Sequence, residues 1–254
     1  MIPMDDRGLL LGDGLFETLL ARDGELVAAD THLDRMAEGC AVLGLPAPDR
    51  DEAMRRMGEA LAGVTGDRAA VRLTLTAGSG GRGLDRPPTT APRLFATAAP
   101  APAVQGPARL VVSAVRRNEG SPAARLKTLA YVDNVLARAE ARAAGADEAV
   151  MLNNRGEIAC AAAANLFWLR DGILETPALD CGVLAGIVRA EVIARARALG
   201  VEVREVRAGA EVLQAAEALF LTNSLIGVRP AGGLKGQAFV PHRLVAALAA
   251  GVAS

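Results

Sequence analysis

The chain has 254 residues, with 28 Lys and Arg against 29 Asp and Glu and a formal charge of -1. So even a balance excludes a global pull toward nucleic acid or an anionic membrane. Cys40, Cys160 and Cys181 have no short paired spacing and only two histidines beside them, which points to neither a disulfide scaffold nor a metal site. The opening MIPMDDRG carries early charges and no apolar run, so no signal peptide and no membrane span are expected, and a cytoplasmic location is the simplest.

In chain order, Gly12-Asp13-Gly14 reads as a bend and Leu15 to Leu20 as a strand, answered by Leu26 to Ala28 across the turn Arg22-Asp23-Gly24-Glu25. Asp30 or Thr31 opens a helix carrying His32, Leu33, Arg35 and Met36, which Gly44-Leu45-Pro46 ends. A second helix runs from Pro48-Asp49 to about Val64, and Val71 to Thr76 forms a strand before the glycine-rich run Gly78-Ser79-Gly80-Gly81-Arg82-Gly83. Judged locally that run is a connection as readily as a binding loop, since it matches no nucleotide fingerprint. Strands at Leu94 to Ala98 and Leu110 to Val115 flank the break APAPAVQG, and a polar run follows from Arg116 to Pro122. The shift in composition predicts a small N-terminal domain over residues 1–115, a linker over 116–124 and a larger domain over 125–254.

Thr128 to Ala143 reads as a helix through Leu129, Val132, Val135 and Leu136, stopped by Gly145, so Lys127 falls at its mouth. Glu148 to Leu152 and Ile158 to Leu169 read as strands joined by Asn153-Asn154-Arg155-Gly156. Small residues from Thr176 to Gly186 precede a helix from about Ile187 to Leu199, whose free N–H groups and positive end suit a phosphate. Val201 to Arg207 is expected as a strand, Ala210 to Ala216 as a helix, Ala218 to Thr222 as a strand entering Asn223-Ser224, and Pro241 to about Ala250 as the last helix.

GDGLFET at Gly12 to Thr18, HLDR at His32 to Arg35, GSGGRG at Gly78 to Gly83, the lysine segment, ANLFW at Ala164 to Trp168, TPALDCGVLAGIVR at Thr176 to Arg189 and TNS at Thr222 to Ser224 occur in one order over nearly the whole chain. In this they resemble the fold type IV pyridoxal-phosphate enzymes, which include branched-chain and D-amino-acid aminotransferases and 4-amino-4-deoxychorismate lyase. The resemblance implies a mixed α/β (α+β) chain of two domains, a smaller N-terminal α/β domain and a larger C-terminal pseudo-barrel. It also implies pyridoxal 5'-phosphate as cofactor, an amine or amino-acid substrate, and a homodimer.

Such an enzyme needs a lysine to take the cofactor's aldehyde carbon, a clamp for its phosphate and a partner for its pyridine nitrogen. By resemblance the lysine is Lys127; the other lysine is Lys235. Read locally, Lys127 is a solvated helix-cap lysine just as well. Arg35, Gly186, Ile187, Val188, Thr222 and Asn223 match the phosphate clamp, and Phe16, Arg82 and Tyr131 match positions near the substrate. Tyr131 alone is equally a buried tyrosine with one hydrogen bond. The family's glutamate for the pyridine nitrogen lies five residues before the asparagine of NLF; counting back from Asn165 gives Cys160, a weaker partner. GSGGRG and the run into ANLFW look most like the lyase, which releases pyruvate and leaves 4-aminobenzoate for folate synthesis. Against that, Phe16-Glu17 is the aminotransferase pattern, where the lyase often has threonine. The lyase is therefore the expected activity, with an amino-acid aminotransferase, or a degenerate relative with weak or altered cofactor binding, as the alternatives.

Overall fold

The computed structural model describes residues 2–103 and 106–252, so Val104 and Gln105 of the APAPAVQG break lie outside the described residues. The chain divides into two compact units, one of Met1–Pro102 with Leu126–Ala130 and one of Ala103–Arg125 with Tyr131–Ser254. The division falls after Pro102, ahead of the boundary expected at 115, because the strand from Ala108 to Arg117 takes both its partners from the second unit.

The first unit runs α1 (Arg7–Leu11), β1 (Gly14–Arg22), β2 (Glu25–Leu26), α2 (Ala29–Leu43), α3 (Arg50–Leu61), β3 (Arg68–Thr76) and β4 (Arg93–Pro100). Its antiparallel sheet has the order β2-β1-β3-β4. Side chains alternate across β1, so Leu15 and Leu19 enter a core with Leu33, Met36 and Cys40 of α2 and with Val71, Leu73 and Leu75 of β3. Leucines 9 to 11, expected as strand ahead of the glycine bend, form α1 instead because Asp6 accepts a hydrogen bond from Gly8 N (2.8 Å) and Gly12, at φ 68°, closes the turn.

The second unit contains β5 (Ala108–Arg117), α4 (Val132–Ala143), β6 (Glu148–Asn153), β7 (Ile158–Ala161), β8 (Asn165–Arg170), β9 (Ile173–Pro177), α5 (Ile187–Ala198), β10 (Val203–Val206), β11 (Ala218–Asn223), β12 (Gly227–Leu234), β13 (Gln237–Ala238) and α6 (Arg243–Ala249). Its mixed sheet has the order β10-β9-β8-β11-β12-β5-β6-β7, with β13 on β12. The two ends are stitched together just past β10, where Ile158 N donates to Ala208 O (2.7 Å) and Glu157 bridges Gly209, so the sheet curls back on itself as a pseudo-barrel. One face packs Ile158, Leu166, Trp168, Leu219 and Leu221 together. The other turns Phe167 and Phe220, stacked at 5.0 Å, toward Val188 and Val192 of α5 and Leu248 of α6.

The mixed α/β architecture in two units is as expected, and several local readings change. The helix expected from Thr128 begins at Val132; Lys127 is not at its mouth, because residues 127–129 pair with β1 instead. That helix buries Asn134, Ala137 and Ala141 and leaves Val132, Val135 and Leu136 exposed. Alanines let a helix lie close on the sheet, and two apolar stripes at helical spacing compete in this sequence. The expected strand from Ile158 to Leu169 is broken at residues 162–164, Ala210–Ala215 is a short 3-10 helix, and β12 forms despite Pro230, Gly232 and Gly233. No described helix is long and apolar enough to cross a membrane.

Candidate functional site

In the first unit the lysine is built in by backbone pairing. Phe16 N donates to Lys127 O (2.9 Å), Leu129 N donates to Gly14 O (3.0 Å), and Leu15 faces Thr128 in an antiparallel bridge. This fixes residue 127 against β1 and puts Lys127 Nζ 4.3 Å from the centre of the Phe16 ring, which also carries the Arg72 guanidinium at 3.7 Å. Glu17, next along the strand, turns to the α2 side. There Arg35 Nε and Nη2 donate to its two oxygens (2.9 and 2.5 Å), and His32 Nδ1 lies 2.7 Å from Oε2.

Burial alone would push the Glu17 carboxyl up, but the hydrogen bonds from His32 and Arg35 hold it below the ordinary glutamate range. Burial lowers the His32 imidazole, so it is neutral, and a carboxylate at 2.7 Å requires Nδ1 to carry the proton. Burial also lowers the Lys127 amine to about 8; Glu17 opposes this, and Arg35 and Arg72 add to it. A lysine in that range exchanges a proton at neutral pH. Phe16, Arg35 and Lys127, predicted separately, thus share one neighbourhood through Glu17.

The glycine-rich run is held from the N-terminal segment by a residue that sequence reasoning passed over. Buried Arg7 donates from Nε to Asp13 (2.9 Å), from Nη1 to Asp85 O (3.0 Å) and from Nη2 to Leu84 O (2.9 Å). Asp13 is gripped from the other side by Arg86. Arg82 lies exposed on this loop, its backbone bridged to Asp85.

In the second unit the β8–β11 register sets Thr222 opposite Asn165. The Asn165 amide donates to Leu184 O (2.9 Å), and its Oδ1 fills the space that a Cβ on Gly186 would occupy, so both are tied to the entrance of α5. Gly186 caps α5 without a side-chain hydrogen bond, leaving the N–H groups of Ile187 and Val188 at the positive end of the helix. The Thr222 hydroxyl is fully buried and has no hydrogen-bond partner among the described residues. An orphaned buried donor beside an uncapped helix start is what an anion would complete, so these residues fit the phosphate of the expected cofactor. The Asn223 amide donates to Ala163 O (2.9 Å), and its Oδ1 accepts from Leu225 N and Ile226 N, closing the following turn.

Tyr131 stands half-buried at the start of α4. Cys160 is paired with Met151 and packs in a cluster with Ala137 and Ala141 of α4. Burial pushes its thiol up, outweighing the opposite pull of Arg117, so it is a neutral group. Arg117 is itself buried and donates to Gly182 O (3.3 Å), Asn134 Oδ1 (3.0 Å) and Ala124 O (2.6 Å).

A curled mixed sheet with an uncapped helix start at Gly186, in a chain whose smaller α/β unit carries Lys127, is the architecture of the fold type IV class. Residues 14–233 match the family described as amino-transferase class IV, and the chain belongs to that family. A Methanocaldococcus jannaschii protein with the provisional name branched-chain-amino-acid aminotransferase is 33% identical over 238 residues, covering 91% of this chain and 82% of that one. The D-alanine aminotransferase of Listeria monocytogenes is 29% identical over 253 residues, covering 92% and 83%. The crystal structure of 4-amino-4-deoxychorismate lyase from Pseudomonas aeruginosa superposes with a TM-score of 0.89 at 33% identity, covering 98% of this chain and 93% of that one.

Proposed function

We propose that the protein is a pyridoxal-phosphate-dependent amino-acid aminotransferase, placing this ahead of the lyase expected from sequence. The carrying observation is Glu17, which lies buried and gripped by Arg35 and His32. In the resemblance a glutamate after the phenylalanine belongs to the aminotransferases, and two of the relatives above bear aminotransferase names. In this reading Lys127 bonds the cofactor's aldehyde carbon, while Gly186, Ile187, Val188, Thr222, Asn223 and Arg35 hold its phosphate. When bound, the cofactor supplies the electron-withdrawing ring that makes the substrate's α-proton labile. The Lys127 amine would hold and move that proton, a role suited to a base of pKa about 8. Phe16, Arg82 and Tyr131 are assigned to the substrate, and Cys160 to the pyridine nitrogen as a neutral neighbour.

The lyase is the second reading, supported by the GSGGRG loop that Arg7 holds and by the likeness to the Pseudomonas aeruginosa enzyme. One experiment separates the two. An aminotransferase mixed with one amino acid and no acceptor gives one equivalent of oxo acid per cofactor and stops until a second oxo acid is added. A lyase given aminodeoxychorismate releases pyruvate over many turnovers, and turnover without any amino-acid half-reaction would reverse our order.

The same reading includes a homodimer. Val132, Val135 and Leu136, exposed by 68%, 65% and 51% along one side of α4, are the surface we assign to it. Sedimentation should show a dimer that Val135→Asp with Leu136→Asp weakens.

A further inference from the structure

The GSGGRG run has the polarity of a cation site. Loops that hold phosphate turn N–H groups inward. Here the carbonyl oxygens of Gly80, Gly83, Leu84 and Asp85 converge on the Arg7 guanidinium, at 3.5, 3.4, 2.9 and 3.0 Å. Arginine suits the centre of such a ring, since it has five N–H donors in a rigid plane and no acceptor. The glycine at 81 follows from this. Gly81 stands at φ 82°, and a Cβ there would lie 2.0 Å from Asp85 O and 3.1 Å from Arg7 Nη1, so the groups that close the loop also exclude a side chain.

Both ends of the loop are tied to the same N-terminal segment. At the entry Arg7 N donates to Gly78 O (2.8 Å) and Ser79 Oγ donates to Asp5 (2.8 Å); at the exit Arg86 shares Asp13 with Arg7. Between these anchors Arg82 is exposed, and among the described residues its hydrogen bonds are made by its backbone, where Asp85 N donates to Arg82 O (3.1 Å). A loop closed around one buried cation thus holds out another.

We propose that Arg7 is a positioning residue for Arg82: by folding residues 78–86 around its guanidinium, it fixes where Arg82 meets a carboxylate of the substrate. The proposal rests on the assignment of Arg82 to the substrate made above. Without Arg7 the four carbonyls lose their common donor, and the loop must be ordered at the expense of substrate binding. Arg82 takes no part in the proton transfer, so the effect falls on KM.

A double-mutant cycle tests this in the loaded, full-length protein, assayed with whichever substrate, amino acid or aminodeoxychorismate, it turns over. Arg82→Gln removes one charge-assisted hydrogen bond and should raise KM about 10-fold, with kcat within about 2-fold of the parent. Arg7→Gln should raise KM about 5-fold, and Arg7→Gln with Arg82→Gln no further than Arg82→Gln alone, because nothing is then left to position. A merely structural role for Arg7 gives effects that multiply, and that result overturns the proposal. Trypsin gives a second readout on the cofactor-free chain. Cleavage after Arg82 should be about 10-fold faster in Arg7→Gln, with cleavage after Arg155, in the turn between β6 and β7, unchanged as the reference; an unmoved cut after Arg82 overturns the proposal. If Arg7→Gln does not fold, Gly81→Ala decides, since its Cβ opens the loop from the Asp85 side and should give the same loss and the same failure to multiply with Arg82→Gln. Arg82→Gln with an unchanged KM ends the assignment of Arg82 and this proposal with it. A raised KM in Arg82→Gln together with multiplying effects ends this proposal alone.

Discussion

Replacing Thr222 by valine should have opposite effects on the free and the loaded protein. The Thr222 hydroxyl is buried on β11 with no partner among the described residues, and leaving such a group unsatisfied costs about 1–3 kcal/mol. Valine fills nearly the same volume without the polar atom, so the cofactor-free chain should unfold at the same urea concentration or gain about 1 kcal/mol. In the loaded protein the hydroxyl should donate to a phosphate oxygen, a charged acceptor worth about 1.5–3 kcal/mol. At about 1.4 kcal/mol per decade, its loss should raise the dissociation constant for pyridoxal 5'-phosphate about 10- to 150-fold. Urea titrations with and without cofactor, together with a fluorescence binding curve, measure both arms. A Thr222→Val chain that is destabilised without cofactor yet binds it with unchanged affinity would refute the reasoning, since the hydroxyl would then be satisfied within the protein.

Gly186→Ala introduces a Cβ into the space held by Asn165 Oδ1, so the amide must rotate and give up Leu184 O; a loss of about 1–3 kcal/mol in urea and weaker cofactor binding are expected, and unchanged values would mean that Asn165 does not organise the α5 entrance. For Lys127 the fold lowers the amine from 10.5 to about 8, so between those values the native state binds fewer protons than the unfolded chain and stability rises with pH. Below that window the cost of the buried cation is complete, so Lys127→Met should stabilise the cofactor-free chain at pH 7 by up to about 3 kcal/mol, and the gain should fade by pH 10.5 in matched urea melts. The three cysteines are buried, with Cys40 and Cys181 pushed to about 11 and Cys160 also raised, so an aromatic disulfide reagent at pH 8 should label none in the native protein and all three in urea; one fast native thiol would contradict this. Cys160→Glu overfills the cluster with Ala137 and Ala141 and should cost about 1–3 kcal/mol without cofactor, with recovery on loading as the protonated pyridine supplies a partner. No recovery would mean that residue 160 does not face the ring.

Much of this fold was legible because strand and turn chemistry is local. Gly24, Gly156 and Gly172 sit at positive φ in the expected turns, and the uncapped start of α5 at Gly186 could be read from its small residues. The lysine segment was misread for an equally physical reason. Leu129, Val132, Val135 and Leu136 satisfy helical spacing, but the backbone of residues 127–129 is claimed by β1, a long-range pairing that no window of sequence contains. The buried side of α4 then fell to Ala137 and Ala141, small residues whose burial depends on what they approach. The individual letters of the candidate sites were visible, and their couplings were not. Glu17 and His32 lie 15 residues apart and meet because α2 packs on β1, and Arg7 reaches a loop 78 residues onward. Only the closeness of Phe16-Glu17 and the HLDR run in sequence hinted at the first of these.

The central claim is that Lys127 carries the cofactor. Incubating the protein with pyridoxal 5'-phosphate, reducing it with borohydride and mapping the peptides tests this most directly, because only two lysines compete. The pyridoxyl group should be found on Lys127, with the visible absorbance of the loaded protein lost on reduction. A label on Lys235 alone, or no label at saturating cofactor, would contradict the account.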